Sequence, residues 1–341
     1  MRDLKMLKAE KLIELTEPEA LYSREPKMAR EEYRQLVKIW HPDRSEHPMA
    51  RAVLERLLAL YREAKLKSLD GTWVEPVEKA EAEEPGRKKV RLEDGSIKEI
   101  FHYRRLPVEL GNLYIDDHSI TFEIGLEFEE LLKEARKTIY SLSFGFADKE
   151  MAIEISRYLP EILESFRSRH HEYLVIRKTP DQFLLKDAGK LEKEHVAWVL
   201  NSLYNLVCFL EFAGITHNAI NAETVFISPL RHSVMLLGGW WYSCKAGDSL
   251  KALPDSSLEI IPISIIESGR AAHPADLALI KALGLKLLKE GDTALRPSLN
   301  AKTADSALEE YQKWKYEVLE SVFGESKFVE LKMDKASLYG K

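Results

Sequence analysis

Two stretches of this chain combine residue types that can carry chemistry. The first is His41-Pro42-Asp43, preceded at four-residue intervals by Arg30, Arg34 and Lys38. On a helix that spacing makes one basic stripe. Such a stripe sets encounter rate and orientation toward an acidic surface more than raw affinity. The second is the run from Ala213 to Ile227, which carries His217 after a long apolar segment, with Gly238-Gly239 downstream. Neither assembles a metal or cofactor site. His170-His171 has no Cys, His, Asp or Glu partner at ligand spacing and reads as a solvated loop. Cys208 sits on an apolar helix face and reads as core. With Cys244 it makes neither a disulfide framework nor a four-cysteine zinc site. Arg87-Lys88-Lys89 reads as a solvated strand end. Trp240-Trp241 reads as core rather than a ligand platform.

The elements that hold the first stretch follow from periodicity. Lys27–Trp40 places Tyr33, Leu36, Val37 and Trp40 on one apolar stripe, apart from the basic one. Pro42 pushes His41 out of helical geometry and ends that helix. A second helix, about Met49–Leu66, aligns Val53, Leu54, Leu57, Leu58 and Tyr61. Two amphipathic helices with a short polar connection form an antiparallel hairpin with His41-Pro42-Asp43 at its tip.

Residues 8–69 resemble a J-domain, the module of DnaJ-type co-chaperones. Tyr33-Arg34-Gln35-Leu36, Trp40-His41-Pro42-Asp43-Arg44 and Ala59-Leu60-Tyr61-Arg62-Glu63-Ala64 carry the resemblance. Residues 9–22 fit the family's first helix loosely, and no Gly/Phe-rich region or CxxCxGxG module follows. The resemblance implies that Arg30, Arg34 and Lys38 dock on the ATPase domain of a DnaK-type chaperone. His41, Pro42 and Asp43 would then trigger ATP hydrolysis in that partner.

The second stretch sits in a different setting. Lys88–Leu92 with Ile97–Arg105, Val108–Ile115 with Ser119–Ile124, and Tyr173–Lys178 with Gln182–Lys186 read as three hairpins. Phe128–Lys137 reads as a short helix, Thr138–Phe144 as a strand, and Asp148–Ser165 as a helix capped by Asp148. From Glu192 the chain is mostly helical. The helix His195–Phe212 and the loop after it resemble the catalytic-loop region of a protein kinase, where H-R-D-L-x-x-x-N follows a long helix. Asp276-Leu277-Ala278 resembles the helix that closes the helical lobe, with Asp276 bonded to the backbone near His217. The resemblance covers about residues 105–300.

Under that resemblance the chemistry is missing. Phosphoryl transfer needs a carboxylate to orient the acceptor, an amide and a carboxylate to hold magnesium, and a lysine on the phosphates. His217 matches the motif histidine. Ala219 stands at the catalytic aspartate, Thr224 at the metal-binding asparagine and Gly238 at the D-F-G aspartate. Thr138–Phe144 contains no lysine, Glu150 or Glu154 lacks its lysine partner, and no G-x-G-x-x-G occurs. The resemblance therefore implies a pseudokinase, not an enzyme, and no cofactor.

Composition agrees with two units. The chain has 341 residues and a formal charge of −6. Residues 1–70 hold 15 Lys and Arg against 13 Asp and Glu, whereas the remainder is net −8. Residues 75–86 carry five glutamates against one lysine between prolines and read as a linker. The expected organisation is a J-domain over 1–70, an acidic linker over 71–87 and a kinase-like domain over 88–341. The last divides into a strand-rich lobe (88–190) and a helical lobe (191–341). The expected fold class is an all-α helical hairpin followed by an α+β two-lobed kinase-like domain. The first fifteen residues lack an apolar signal region, and Val196–Ile215 is too polar to span a membrane. With the cysteine count, that fits a reducing, cytoplasmic setting. The negative charge argues against a nucleic-acid binder. The expected partners are a DnaK-type ATPase and, through the kinase-like domain, an unknown protein client. An atypical nucleotide-dependent transferase, or a scaffold with a vestigial J module, remain the alternatives.

Overall fold

The computed structural model describes residues 8–41, 44–45, 47–70, 73, 86–324 and 328–339. Mixed helix and sheet divide into two compact units, Met1–Ala82 and Glu83–Lys341.

The first unit contains α1 (Ala9–Glu14), a 3-10 turn at Pro18–Ala20, α2 (Pro26–Trp40) and α3 (Ala50–Asp70). Pro26 opens α2, where a missing N–H costs nothing. Helices α2 and α3 run antiparallel. At one end the Ser68 hydroxyl donates to the Arg24 carbonyl at 2.9 Å, and at the other Trp40 meets His47 edge-on. Leu12, Leu21, Tyr22, Leu36, Val53, Leu57, Leu60 and Ala64 form the core. The α3 stripe thus continues through Leu60 and Ala64, while Leu54, Leu58 and Tyr61 are half-buried at its margin. Trp73 joins this core although it falls in the span read as linker. Inside, the Tyr22 hydroxyl donates to the Leu57 carbonyl at 3.0 Å, and Tyr33 stacks on Tyr61 at 4.4 Å.

The second unit opens with a hairpin, β1 (Arg87–Arg91) and β2 (Ile97–Phe101). Then come β3 (Arg104–Val108), β4 (Gly111–Ile115), β5 (Ser119–Gly125), α4 (Glu129–Leu142), α5 (Lys149–Ile155), β6 (Ile162–Arg167) and β7 (His171–Arg177). The strands β3 to β7 form one antiparallel sheet in the order β3-β4-β5-β7-β6, with α4 and α5 between β5 and β6 in sequence. The rest is β8 (Phe183–Leu184), α6 (Leu185–Ala188), α7 (Lys193–Phe212), β9 (Ile215–Thr216), β10 (Val225–Ser228), β11 (Ser233–Leu236) and β12 (Cys244–Lys245). Helices α8 (Ile263–Ser268), α9 (Pro274–Leu287), α10 (Arg296–Asn300), α11 (Ala307–Gln312), α12 (Glu320–Phe323) and α13 (Lys335–Tyr339) follow, with a π-helical stretch at Lys313–Leu319. Among the described residues, no helix is long and apolar enough to cross a membrane.

Four local expectations are corrected. Thr138–Phe144 is not a strand: α4 runs through it to Leu142, because Leu132, Ala135, Ile139 and Leu142 keep one helical face buried. Asp148–Ser165 is not one helix: Asp148 does cap α5, accepting from the Met151 N–H, but the helix gives way to a 3-10 turn at Ser156–Tyr158 and then β6. Pro160 lies at that break, where it cannot donate an amide. The third hairpin does not form, since β7 pairs with β5 and β6 while β8 pairs with β10. Finally, β3 and β4 meet across Glu109-Leu110, a turn inside what read as continuous strand.

Candidate functional site

On α2 the geometry separates the two stripes. Ala29, Leu36 and Trp40 are buried, whereas Arg30, Arg34 and Lys38 are exposed on successive turns. Among the described residues none of the three enters an ion pair, so the stripe faces solvent uncompensated. The turn after α2 begins at His41, which is extended and half-buried. Its carbonyl accepts from the N–H groups of Arg44 at 2.8 Å and Ser45 at 2.9 Å, which folds the chain back toward α3. Pro42 and Asp43 lie outside the described residues.

In the second unit the loop after α7 is held from beneath by α9. The N–H of His217 donates to Asp276 Oδ2 at 2.8 Å and that of Asn218 to Oδ1 at 2.7 Å. Asn218 is in the left-handed region (φ 64°) and fully buried, and its amide donates to the Thr216 hydroxyl and the Tyr242 carbonyl. His217 Nε2–H donates to the Gly238 carbonyl at 3.0 Å, and Nδ1 accepts from the Ala219 N–H at 3.3 Å. These partners demand the neutral tautomer. Burial pushes the imidazole down to about 3, against the pull of the Gly238 carbonyl. Burial likewise pushes the Asp276 carboxyl up to about 6, opposed by the two N–H bonds. His217 is thus a structural spacer between two backbone segments.

The structure brings His217, Ala219, Thr224 and Gly238 together. Thr224 Oγ1 donates to the Ala219 carbonyl at 2.7 Å and accepts from the Asn221 N–H at 3.0 Å, so its hydroxyl is spent on the loop. A Cβ on Gly238 would stand 3.0 Å from the Phe122 ring, which comes from β5. One on Gly239 (φ 80°) would stand 2.8 Å from the His217 ring and 3.0 Å from both Ala219 and Thr224. Phe122 also meets Trp241 edge-on at 4.9 Å. Trp240 and Trp241 are buried, the former with its indole N–H on the Leu236 carbonyl. Phe122 and Trp241 thus pack beside the Gly238 turn.

Helix α4 follows β5 directly, and β5 carries no lysine. The helix is tied to the sheet by Arg136 to the buried Glu172 of β7, and by Arg167 of β6 to Glu129. Glu154 accepts from the Asn205 amide at 3.3 Å and lies 3.9 Å from Arg157.

Arg87-Lys88-Lys89 is not a solvated strand end. The Lys88 ammonium donates to Glu123 Oε1 at 2.6 Å and to the Tyr114 hydroxyl at 2.8 Å. Glu123 also accepts from the hydroxyls of Tyr114 and Tyr173 and from Asn112. Burial alone would raise this carboxyl, but Lys88, Tyr173 and Tyr114 outweigh it and hold it at about 2. The sequence signal was a lone glutamate in the apolar strand Ser119–Gly125, which the β1–β2 hairpin covers from outside. Cys208 and Cys244 are free and half-buried; burial pushes the Cys208 thiol up to about 12 and so removes it from nucleophilic chemistry. No group of three or more potential metal-ligating side chains occurs among the described residues. No protein-family model and no curated protein matches the chain.

Proposed function

We propose that this protein is a J-domain co-chaperone that recruits a DnaK-type ATPase, with a catalytically inactive kinase-like unit that holds the client or complex on which that ATPase acts. The observation that carries the reading is the exposed stripe Arg30, Arg34 and Lys38, which enters no ion pair among the described residues, on a helix that ends at His41 where the chain turns back toward α3. An acidic surface is its natural complement. The kinase-like reading of the second unit is supported by three features. Two helices, the long α4 and the short α5, lie between the third and fourth strands in sequence of its five-stranded sheet. A buried histidine lies in the loop after the long helix α7, and a buried aspartate of α9 receives that loop's N–H groups. Inactivity is supported by Ala219, Thr224 and Gly238, which supply no carboxylate for magnesium or acceptor, and by a β5 strand without lysine.

The test is single-turnover ATP hydrolysis by a purified DnaK-type chaperone. Wild type accelerates hydrolysis and Asp43→Asn does not; equal rates for the two would overturn the proposal. ATP consumption by the protein without any chaperone would favour the transferase reading instead.

A further inference from the structure

We infer that the seat of residues 328–339 is a docking site for a short helix of a partner protein with lysine and tyrosine four residues apart, and that the segment fills it in cis. The inference rests on the client-holding role given to the second unit and names a segment which that unit accepts.

The segment is held by its side chains, as a bound ligand is. Among the described residues, no backbone–backbone hydrogen bond joins 328–339 to the rest of the unit. Phe328 stacks on His232 at 4.2 Å, and His232 stacks on Trp198 at 4.9 Å. The Lys335 ammonium pairs with Asp117, between β4 and β5, at 2.7 Å. It also lies 4.3 Å from the centre of the Tyr103 ring. Tyr339 meets that same ring at 4.9 Å, and its hydroxyl donates to Asp187 Oδ2 of α6 at 2.8 Å. Lys335 and Tyr339 therefore lie on one face of α13, one turn apart, and both are set on Tyr103. This seating defines the occupant: a cation for Asp117 and a phenol for Asp187, on one face of a helical turn.

The segment is a replaceable occupant. Lys335 and Asp117 are both half-buried, and an ion pair in that setting holds weakly. The buried Tyr103 hydroxyl has no hydrogen-bond partner among the described residues, so the segment satisfies its seat incompletely. Met333, Asp334 and Lys335 line an open cavity of about 460 Å3 together with Asp117, Pro180 and Leu230. A partner helix has room there for side chains that the segment does not supply. Tethered to the chain, the segment acts at a high effective concentration, so even a weak fit keeps the seat filled.

The test uses full-length protein and fluorescence anisotropy. One labelled alanine-rich helical peptide carries Lys and Tyr four residues apart; a second carries Glu in place of that Lys. The variant Lys335→Ala/Tyr339→Ala changes the segment and leaves the seat intact. It binds the Lys-Tyr peptide about ten-fold or more tightly than wild type does, because the tethered competitor is weakened. It also prefers that peptide to the Glu-Tyr one, and adding Asp117→Lys reverses the preference. Equal binding by wild type and Lys335→Ala/Tyr339→Ala, or a preference that survives Asp117→Lys, overturns the seat. Sedimentation of wild type as a dimer and of Lys335→Ala/Tyr339→Ala as a monomer assigns the seat to a second copy and overturns the partner. Capture of reduced, carboxymethylated α-lactalbumin on the same immobilised variant is measured in parallel. Capture without peptide binding overturns the seat and leaves the client reading intact; neither capture nor peptide binding overturns both.

Discussion

Asp276 receives the backbone of His217: its Oδ2 lies 2.8 Å from the His217 nitrogen, while its Oδ1 takes the neighbouring Asn218 N–H at 2.7 Å. One carboxylate from α9 thereby fixes the loop that leads into Ala219 and Thr224. The His217 ring passes the constraint on to Gly238. Helix, loop and glycine turn are one hydrogen-bonded block in which Asp276 and His217 are both fully buried.

Replacing Asp276 by Asn tests that block. The amide keeps the shape but faces one N–H with its own NH2, which leaves a buried donor unsatisfied. Such a group costs about 1–3 kcal/mol. Urea denaturation followed by far-UV circular dichroism should show a lower midpoint with an unchanged slope. Asp276→Ala, which strands both N–H groups, should lose more.

Restoring the aspartate at position 238 should not restore a metal site. A Cβ there already meets Phe122 at 3.0 Å, and the carboxylate would enter a space filled by Phe122, Trp241 and Thr224. Overpacking costs about 1–3 kcal/mol before the price of burying a charge is added. Gly238→Asp should therefore lower the melting temperature, and magnesium-ATP should not raise it again. Gly238→Asp with Phe122→Ala makes room and should recover part of the lost stability, still without ATP turnover, because Ala219 and the lysine-free β5 remain.

The sequence was most legible where one period dominates. Apolar spacing identifies helices α2, α3 and α7, and the resemblance to a kinase's closing helix implies the contact of Asp276 with the backbone at His217 that the structure contains. It was least legible where a segment's neighbours decide. Thr138–Phe144 is rich in β-branched and aromatic residues, yet the buried face that runs from Leu132 to Leu142 keeps it helical. Phe183–Leu184 follows β7 closely but pairs with β10, a partner more than 40 residues away in the chain. Lys88 reads as solvated in any local window; only the fold of β1–β2 over the sheet reveals Glu123 beneath it.

The basic stripe predicts a charge dependence separable from folding. Arg34→Glu with Lys38→Glu changes two exposed positions, so stability should move by no more than about 0.5 kcal/mol. Under the proposed docking on a DnaK-type ATPase, stimulation of that ATPase should fall more than ten-fold at low salt. Raising ionic strength shortens the screening length from about 10 Å at 0.1 M to about 3 Å at 1 M. Wild-type stimulation should decline across that range while the variant's residual rate stays flat. A wild-type rate insensitive to salt would remove the electrostatic role of Arg34 and Lys38.

Glu123 predicts the acid limit of the second unit. Its carboxyl is held at about 2 against an ordinary value of 4.5. A depressed folded pKa contributes stability above the unfolded value, and that contribution is lost as pH falls through the folded value. The window here runs from about pH 4.5 down to about pH 2, and the full contribution is about 3 kcal/mol. Wild type should therefore exceed Glu123→Gln by roughly that amount at pH 7, where Lys88, Tyr114 and Tyr173 all bond the carboxylate. The gap should narrow below pH 4.5 and nearly vanish near pH 2. Urea midpoints of the two proteins at pH 7, 4 and 2.5 measure it, and a gap independent of pH would mean that Glu123 is not charged in the folded state.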